Sequence, residues 1–232
     1  MALVKFGGGI VHMTGSIAGT TFARNRSGAY ARARTKPVNP QSSGQVAVRS
    51  SLAYLADRWS QTLSSAQRTA WELYASSVSM LNRLGESINL TGYNHYIRSN
   101  LEYKRIFSAV IDDGPVVFEL PAHDPTFAIS ASEATQNITV VHDAGMAWAD
   151  ENGAAMFLYQ GQPQNPQRNF FDGPWKYLAN IPGINGAPAG SPSDHANVIA
   201  FAELQRQWCY ARIVRADGRL SEAFRADCFC AA

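Results

Sequence analysis

The first 56 residues contain no aspartate and no glutamate. Seven basic residues lie there (Lys5, Arg24, Arg26, Arg32, Arg34, Lys36 and Arg49), leaving 13 basic and all 18 acidic residues for the rest of the chain. The formal net charge of +2 therefore hides a basic front tethered to a body of net −5. Such polarity favours head-to-tail contacts between copies and, equally, binding to a polyanion. Cysteine is scarce: Cys209, Cys228 and Cys230 are the 3 present, an odd number confined to the C-terminal end. Their C-x-C spacing lacks the spacer and second ligand pair of a zinc ribbon, so buried or edge thiols are expected, and nothing demands an oxidising compartment. No apolar run approaches the roughly 20 residues that span a bilayer. The most apolar early stretch, Phe6 to Ile17, is broken by four glycines, His12 and Thr14, with no leucine-rich signal core, so a soluble, unprocessed chain without membrane contact is expected. There is no Walker loop, no G-x-G-x-x-G and no H-E-x-x-H, and no cofactor is expected.

What the front does contain is pattern. Phe22, Arg24 and Arg26 share one parity, Asn25-Arg26-Ser27-Gly28 supplies turn chemistry, and Tyr30, Arg32, Arg34 and Lys36 share one parity beyond it. This predicts a short hairpin in which one face carries Phe, Tyr, Arg and Lys and the other little beyond Ala29, Ala31 and Ala33. An alanine face anchors no core, so the arm is expected to be ordered against an acidic partner through Phe22, Arg24, Arg26, Tyr30, Arg32, Arg34 and Lys36. Residues 1–21, rich in glycine and small side chains, are expected to gain order from a neighbouring surface. Pro37 and Pro40 fix an extended connector after the hairpin.

From about Ser43 the hydrophobic period lengthens. Val48, Leu52, Leu55 and Trp59 line one face of a helix running to about Leu63. Ser64-Ser65-Ala66-Gln67 fits a capping box and starts a second helix, with Ala70, Trp71, Tyr74, Val78 and Leu81 on one face, that stops near Gly85. The two predict an antiparallel hairpin holding Trp59 and Trp71 in a shared interior. A third helix is expected from Thr91 or Gly92 to about Phe107, with Arg98, Lys104 and Arg105 on a solvated face, and Asp112-Asp113-Gly114-Pro115 closes the helical region.

Beyond Pro115, short β-prone runs alternate with turns. Strands are expected over Val116–Leu120, Thr126–Ser130, Asn137–His142, Ala154–Gln160, Trp175–Leu178, Asn197–Phe201, Gln207–Arg215 and Arg219–Ala226, the last two joined at Asp217-Gly218. The expected fold class is α+β: an extended basic arm with a β-hairpin over 1–42, a helical domain over 43–114 and an antiparallel β-sandwich over 115–232. Catalytic candidates are thin. Ser193-Asp194-His195 has triad residue types on an exposed loop, but adjacency is not triad geometry. Asp112-Asp113 and His142-Asp143 read as turn formers, and Asp150-Glu151 is too small a carboxylate set for calcium.

Two stretches carry a resemblance. The series Gly15-Ser16-Ile17-Ala18-Gly19-Thr20-Thr21-Phe22, Arg32-Ala33-Arg34-Thr35-Lys36-Pro37-Val38-Asn39-Pro40, Gln45, Arg49, Trp59 and Leu63 to Trp71 resembles uncharacterised proteins encoded in bacteriophage and prophage structural regions. The run Trp208 to Ser221 resembles the last two strands of fibronectin type III or related Ig-like modules. The first resemblance implies a virion component and no active site. The resulting expectation is a non-enzymatic capsid-associated, minor capsid or head–tail connector-type protein, located in the virion after assembly in the host cytoplasm. Its expected partners are capsid, portal or connector proteins and copies of itself. The alternative is a nucleic-acid-binding virion protein, with Phe22 and Tyr30 stacking and the arginines on phosphates.

Overall fold

The computed structural model describes residues 2–26, 28–36, 38–82 and 84–232. Ser27 of the expected turn, Pro37 of the expected connector and Arg83 of the expected second helix lie outside them. Among the described residues the fold is α+β, with three α-helices, a seven-stranded mixed sheet curled into a near-barrel, and smaller sheets of four and two strands. The chain clusters into two compact units, Met1–Ile97 and Arg98–Ala232.

In the first unit, β1 (Ala2–Val4), β2 (Gly15–Ile17), β3 (Thr20–Asn25) and β4 (Gly28–Ala33) form an antiparallel sheet of order β1-β4-β3-β2. The expected hairpin is its centre, with Asn25 opposite Gly28, whose φ of +118° is readily available only to glycine. The glycine-rich start supplies the two edge strands. Helix α1 (Ser43–Asp57) continues through one wider, π-type turn over Arg58–Thr62, and Leu63 breaks into extended backbone. Helix α2 (Ser65–Ser77) starts at the expected capping box: the Gln67 N–H donates to Ser64 Oγ at 3.2 Å and the Ser64 N–H to Gln67 Oε1 at 2.9 Å.

That helix ends well before Gly85. Ser76 and Ser77 hydroxyls donate back to the Leu73 carbonyl at 2.8 and 2.9 Å, and Val78 is extended. Strands β5 (Ser79–Leu81) and β6 (Ser87–Asn89) then pair around a turn in which Asn82 Oδ1 accepts from the Leu84 and Glu86 N–H groups, leaving Leu81 exposed. Helix α3 (Gly92–Phe107) opens with Thr91 Oγ1 accepting from Asn94 N–H at 3.1 Å and Glu72 Oε2 from Gly92 N–H at 3.0 Å. Tyr96 meets Trp59 and Trp71 at ring separations of 5.3 and 5.6 Å. Trp71 is fully buried and Trp59 half-buried, so the two tryptophans share an interior through a ring on the third helix.

In the second unit, β7 (Ala128–Ser132), β8 (Asn137–Val141), β9 (Ala155–Gly161), β10 (Trp175–Pro182), β11 (Ser193–Ala196), β12 (Arg206–Val214) and β13 (Phe224–Ala231) run in the order β10-β9-β12-β13-β7-β8-β11. The sheet is mixed, not purely antiparallel, because β13 meets β7 in parallel through Cys230–Ala131 and Ala231–Ser132. Curling brings Ile129, Ile138 and Val140 into one core with Met156, Leu158, Cys209 and Ile213. The other face of β9 and β12 carries Phe157, Tyr159 and Val214, against which Tyr103 and Phe107 of α3 pack.

Four expectations fail here, three of them for identifiable reasons. Val116–Leu120 forms no strand, and Val116, Val117 and Phe118 are exposed. Asn197–Phe201 is not a strand because the buried Gln160 side chain satisfies it: its Oε1 accepts from Val198 and Ile199 N–H at 2.7 and 3.0 Å and its Nε2 donates to Ile199 O at 2.7 Å. The pairing strand is Ser193–Ala196, against β8. Arg98 is not solvated; its guanidinium donates to the Leu220 and Ser221 carbonyls, each at 2.6 Å. The last strand starts at Phe224 because Ser221 Oγ takes the Ile213 N–H at 2.9 Å and bulges the chain between.

Candidate docking surface

The four-stranded arm sheet has no interior. Of the described residues between positions 2 and 50, none is buried. Its register corrects the single basic face expected from parity. Phe22 stands opposite Ala31 and Arg24 opposite Ala29, whereas Tyr30 stands opposite Ala23 and Arg32 opposite Thr21. A two-residue loop pairs even positions of β3 with odd positions of β4, and directly opposed residues point to the same side. One face therefore carries Val4, Phe22, Arg24, Ala29, Ala31 and Ala33, and the other carries Leu3, Ser16, Thr21, Ala23, Tyr30 and Arg32.

The two faces differ in what surrounds them. Val4, Arg24 and Ala29 of the Phe22 face, with Leu3 at the sheet edge, line a cavity of about 240 Å³ shared with Asn82, Leu84 and Glu86 of the β5–β6 turn. Lys5 forms an ion pair with Glu86, and that hydrogen bond, helped by Asn82, holds the Glu86 carboxyl below its usual range. The Tyr30 face opens into a groove of about 310 Å³ lined by Arg32, Arg34, Ser16, Thr21 and Thr35. Ser16 and Thr21 hydroxyls are 2.8 Å apart across the strands, and the Arg34 N–H donates to Gly19 O at 2.8 Å, which fixes Arg34 just past the end of β4. Guanidinium groups and hydroxyls line this groove without a carboxylate, a donor-rich wall suited to an anionic group. Among the described residues, no carboxylate pairs with Arg24, Arg26, Arg32, Arg34 or Lys36, all of which are exposed. Sequence reading missed Leu3 and Ser16 as parts of this surface; the alternation in Ala2-Leu3-Val4 was its only signal, masked by the glycines that follow.

The catalytic candidates resolve differently. On β11, Ser193 Oγ lies 3.0 Å from His195 Nε2, because residues two apart share a strand face. Asp194 points the other way and accepts from Thr139 Oγ1 at 2.6 Å, so it does not stand behind the imidazole as a triad requires. Burial lowers the His195 pKa, with Asp194 opposing and His142 adding to the shift. Asp150 accepts from the Gly186 N–H, and Glu151 pairs with Arg215. Among the described residues no group of three His, Cys, Asp or Glu side chains is placed to hold a metal ion.

The three thiols are free; burial raises the pKa of each and pushes Cys228 up to about 12. In the second unit a cavity of about 280 Å³ is lined by Trp148, Met146, Ile213, Arg215 and Arg219, and both arginines are already ion-paired, with Glu151 and Asp217. Among the described residues, no helix is long and apolar enough to cross a membrane. Compared with protein-family models, with curated proteins and with solved structures, the chain matches none.

Proposed function

We propose that this chain is a non-enzymatic structural component of a bacteriophage virion, a capsid-associated, minor capsid or head–tail connector-type protein assembled in the host cytoplasm. It docks on capsid, portal or connector neighbours, and on copies of itself, through the basic arm, and presents its second unit as an Ig- or fibronectin-type-III-like module. The observation that carries the reading is the arm itself: a four-stranded sheet with no buried residue and five exposed cations, attached to a body that has its own cores. A sheet of that kind loses conformational entropy while burying little apolar area, and a covering partner supplies what is missing.

The strand order supports the Ig-like part. Strands β7, β8 and β11 on one side and β10, β9, β12 and β13 on the other correspond to the A-B-E and C′-C-F-G arrangement of such modules, with the short parallel contact of β13 and β7 joining the layers. The nucleic-acid alternative is weakened by the register, since Arg24 and Arg32 face opposite ways and no single face collects the cations for a phosphate backbone.

Purified particles provide the test. The protein is expected in them at a fixed copy number, and a chain with Arg24, Arg26, Arg32, Arg34 and Lys36 all changed to Ser is expected to fold yet stay out of particles. Absence of the native protein from particles overturns the reading. Retention of duplex DNA that falls with salt at a slope near −0.9 per phosphate contact supports the nucleic-acid alternative instead.

A further inference from the structure

The Tyr30 face needs a cover that brings carboxylates and some apolar surface, and the chain itself carries such a patch. In the second unit, Glu133 follows β7 and Glu203 precedes β12; the Glu203 N–H donates to Glu133 Oε2 at 3.0 Å, which sets the two acids side by side. Beside them Leu204, 65% exposed, donates its N–H to the Cys230 carbonyl, next to Phe229, which is 58% exposed. Among the described residues neither Glu133 nor Glu203 has a salt-bridge partner. Two exposed carboxylates next to two exposed apolar side chains complement a groove lined by Arg32 and Arg34, on the sheet face that also carries Tyr30.

We propose that the Tyr30 face of one copy's arm is covered by the Glu133–Glu203 edge of a second copy, with Arg32 and Arg34 meeting the two carboxylates and Leu204 and Phe229 packing near Tyr30. This rests on the docking role of the arm proposed above and names its partner. Pairing of two arms is disfavoured, because each brings only positive charge. Because the two surfaces differ, the contact is heterologous and propagates head to tail, closing into a ring or growing as a filament. The charge asymmetry along the chain, basic in front and net acidic behind, gives the long-range attraction the same sense.

Sedimentation velocity of the full chain at about 0.05 M and about 0.5 M salt tests it, since exposed ion pairs are screened over that range. Association beyond the monomer is expected at low salt and its loss at high salt. The double variant Arg32→Glu with Arg34→Glu is expected to be monomeric, as is Glu133→Lys with Glu203→Lys. Mixing the two variants, or placing all four reversals in one chain, is expected to restore association. All four side chains are on the surface, and circular dichroism verifies folding.

A chain that stays monomeric at every concentration overturns the self-contact while leaving the virion role standing if the protein is still found in particles. Association that ignores both reversals, or mixing that restores nothing, overturns the assigned surfaces. A salt-dependent change in arm protection without a change in mass points to docking within one chain and also overturns it.

Discussion

Two sheets in this chain contain the same unit, an antiparallel hairpin, and finish with opposite burial. The arm hairpin of β3 and β4 alternates small and charged residues, so neither face has enough apolar area to recruit another layer. The hairpin of β12 and β13 alternates Gln207, Cys209, Ala211 and Ile213 with Trp208, Tyr210, Arg212 and Val214; curling buries the first set against β7 and β8 while α3 helps cover the second. Backbone pairing is comparable in the two, so what separates a self-sufficient sheet from one without an interior is side-chain volume on at least one face.

Substitutions of matched chemistry break or sharpen that contrast. Leu158→Ala removes a fully buried side chain from the core of the second unit and is expected to cost about 2–5 kcal/mol, whereas Phe22→Ala in the arm is expected to cost under about 0.5 kcal/mol in the isolated protein. Urea unfolding of both variants checks this; similar losses would mean that the arm has an interior after all. Next in size is Gly92→Ala. A Cβ there lies 2.6 Å from the Glu72 nitrogen and 2.8 Å from the Trp71 carbonyl carbon, so α3 must move off α2, at an expected cost of about 1–3 kcal/mol. Ser64→Ala removes one half of the capping box and is expected to cost about 1 kcal/mol, read as a lower melting temperature.

The parts legible in the sequence are those whose cause is local. Ser64 and Gln67 sit three apart and meet, Thr91-Gly92 starts a helix, and the turn before Gly28 closes a hairpin. Where reading failed, the deciding contact came from elsewhere in the chain. Gln160 removed a strand at Asn197–Phe201 by bonding its backbone, and Leu220 and Ser221 took Arg98 out of solvent. The arm was a subtler case. Its strands and turn were visible, but face composition depends on register, and a two-residue loop inverts the parity that a reader carries across it. The proposed docking surface was thus legible as a basic segment without a core, and its division into an Arg24 face and an Arg32 face was not.

The smallest expected effect is a pH dependence in the second unit. His195 lies half-buried on β11, the edge strand of the self-sufficient sheet, where burial lowers its pKa, His142 nearby adds to the shift, and Asp194 opposes it. The unfolded chain then binds a proton more readily than the folded one, so stability rises with pH across the window between the folded value and the ordinary value of about 6.5. The second unit is expected to be at full stability above that ordinary value and to lose some as pH falls through the window. His195→Gln should flatten this slope while leaving stability at neutral pH nearly unchanged, because the neutral imidazole accepts or donates one bond to Ser193 that an amide can replace. Melting curves between about pH 5 and about pH 8 check it; an unchanged slope in the variant would assign the acid sensitivity to another group.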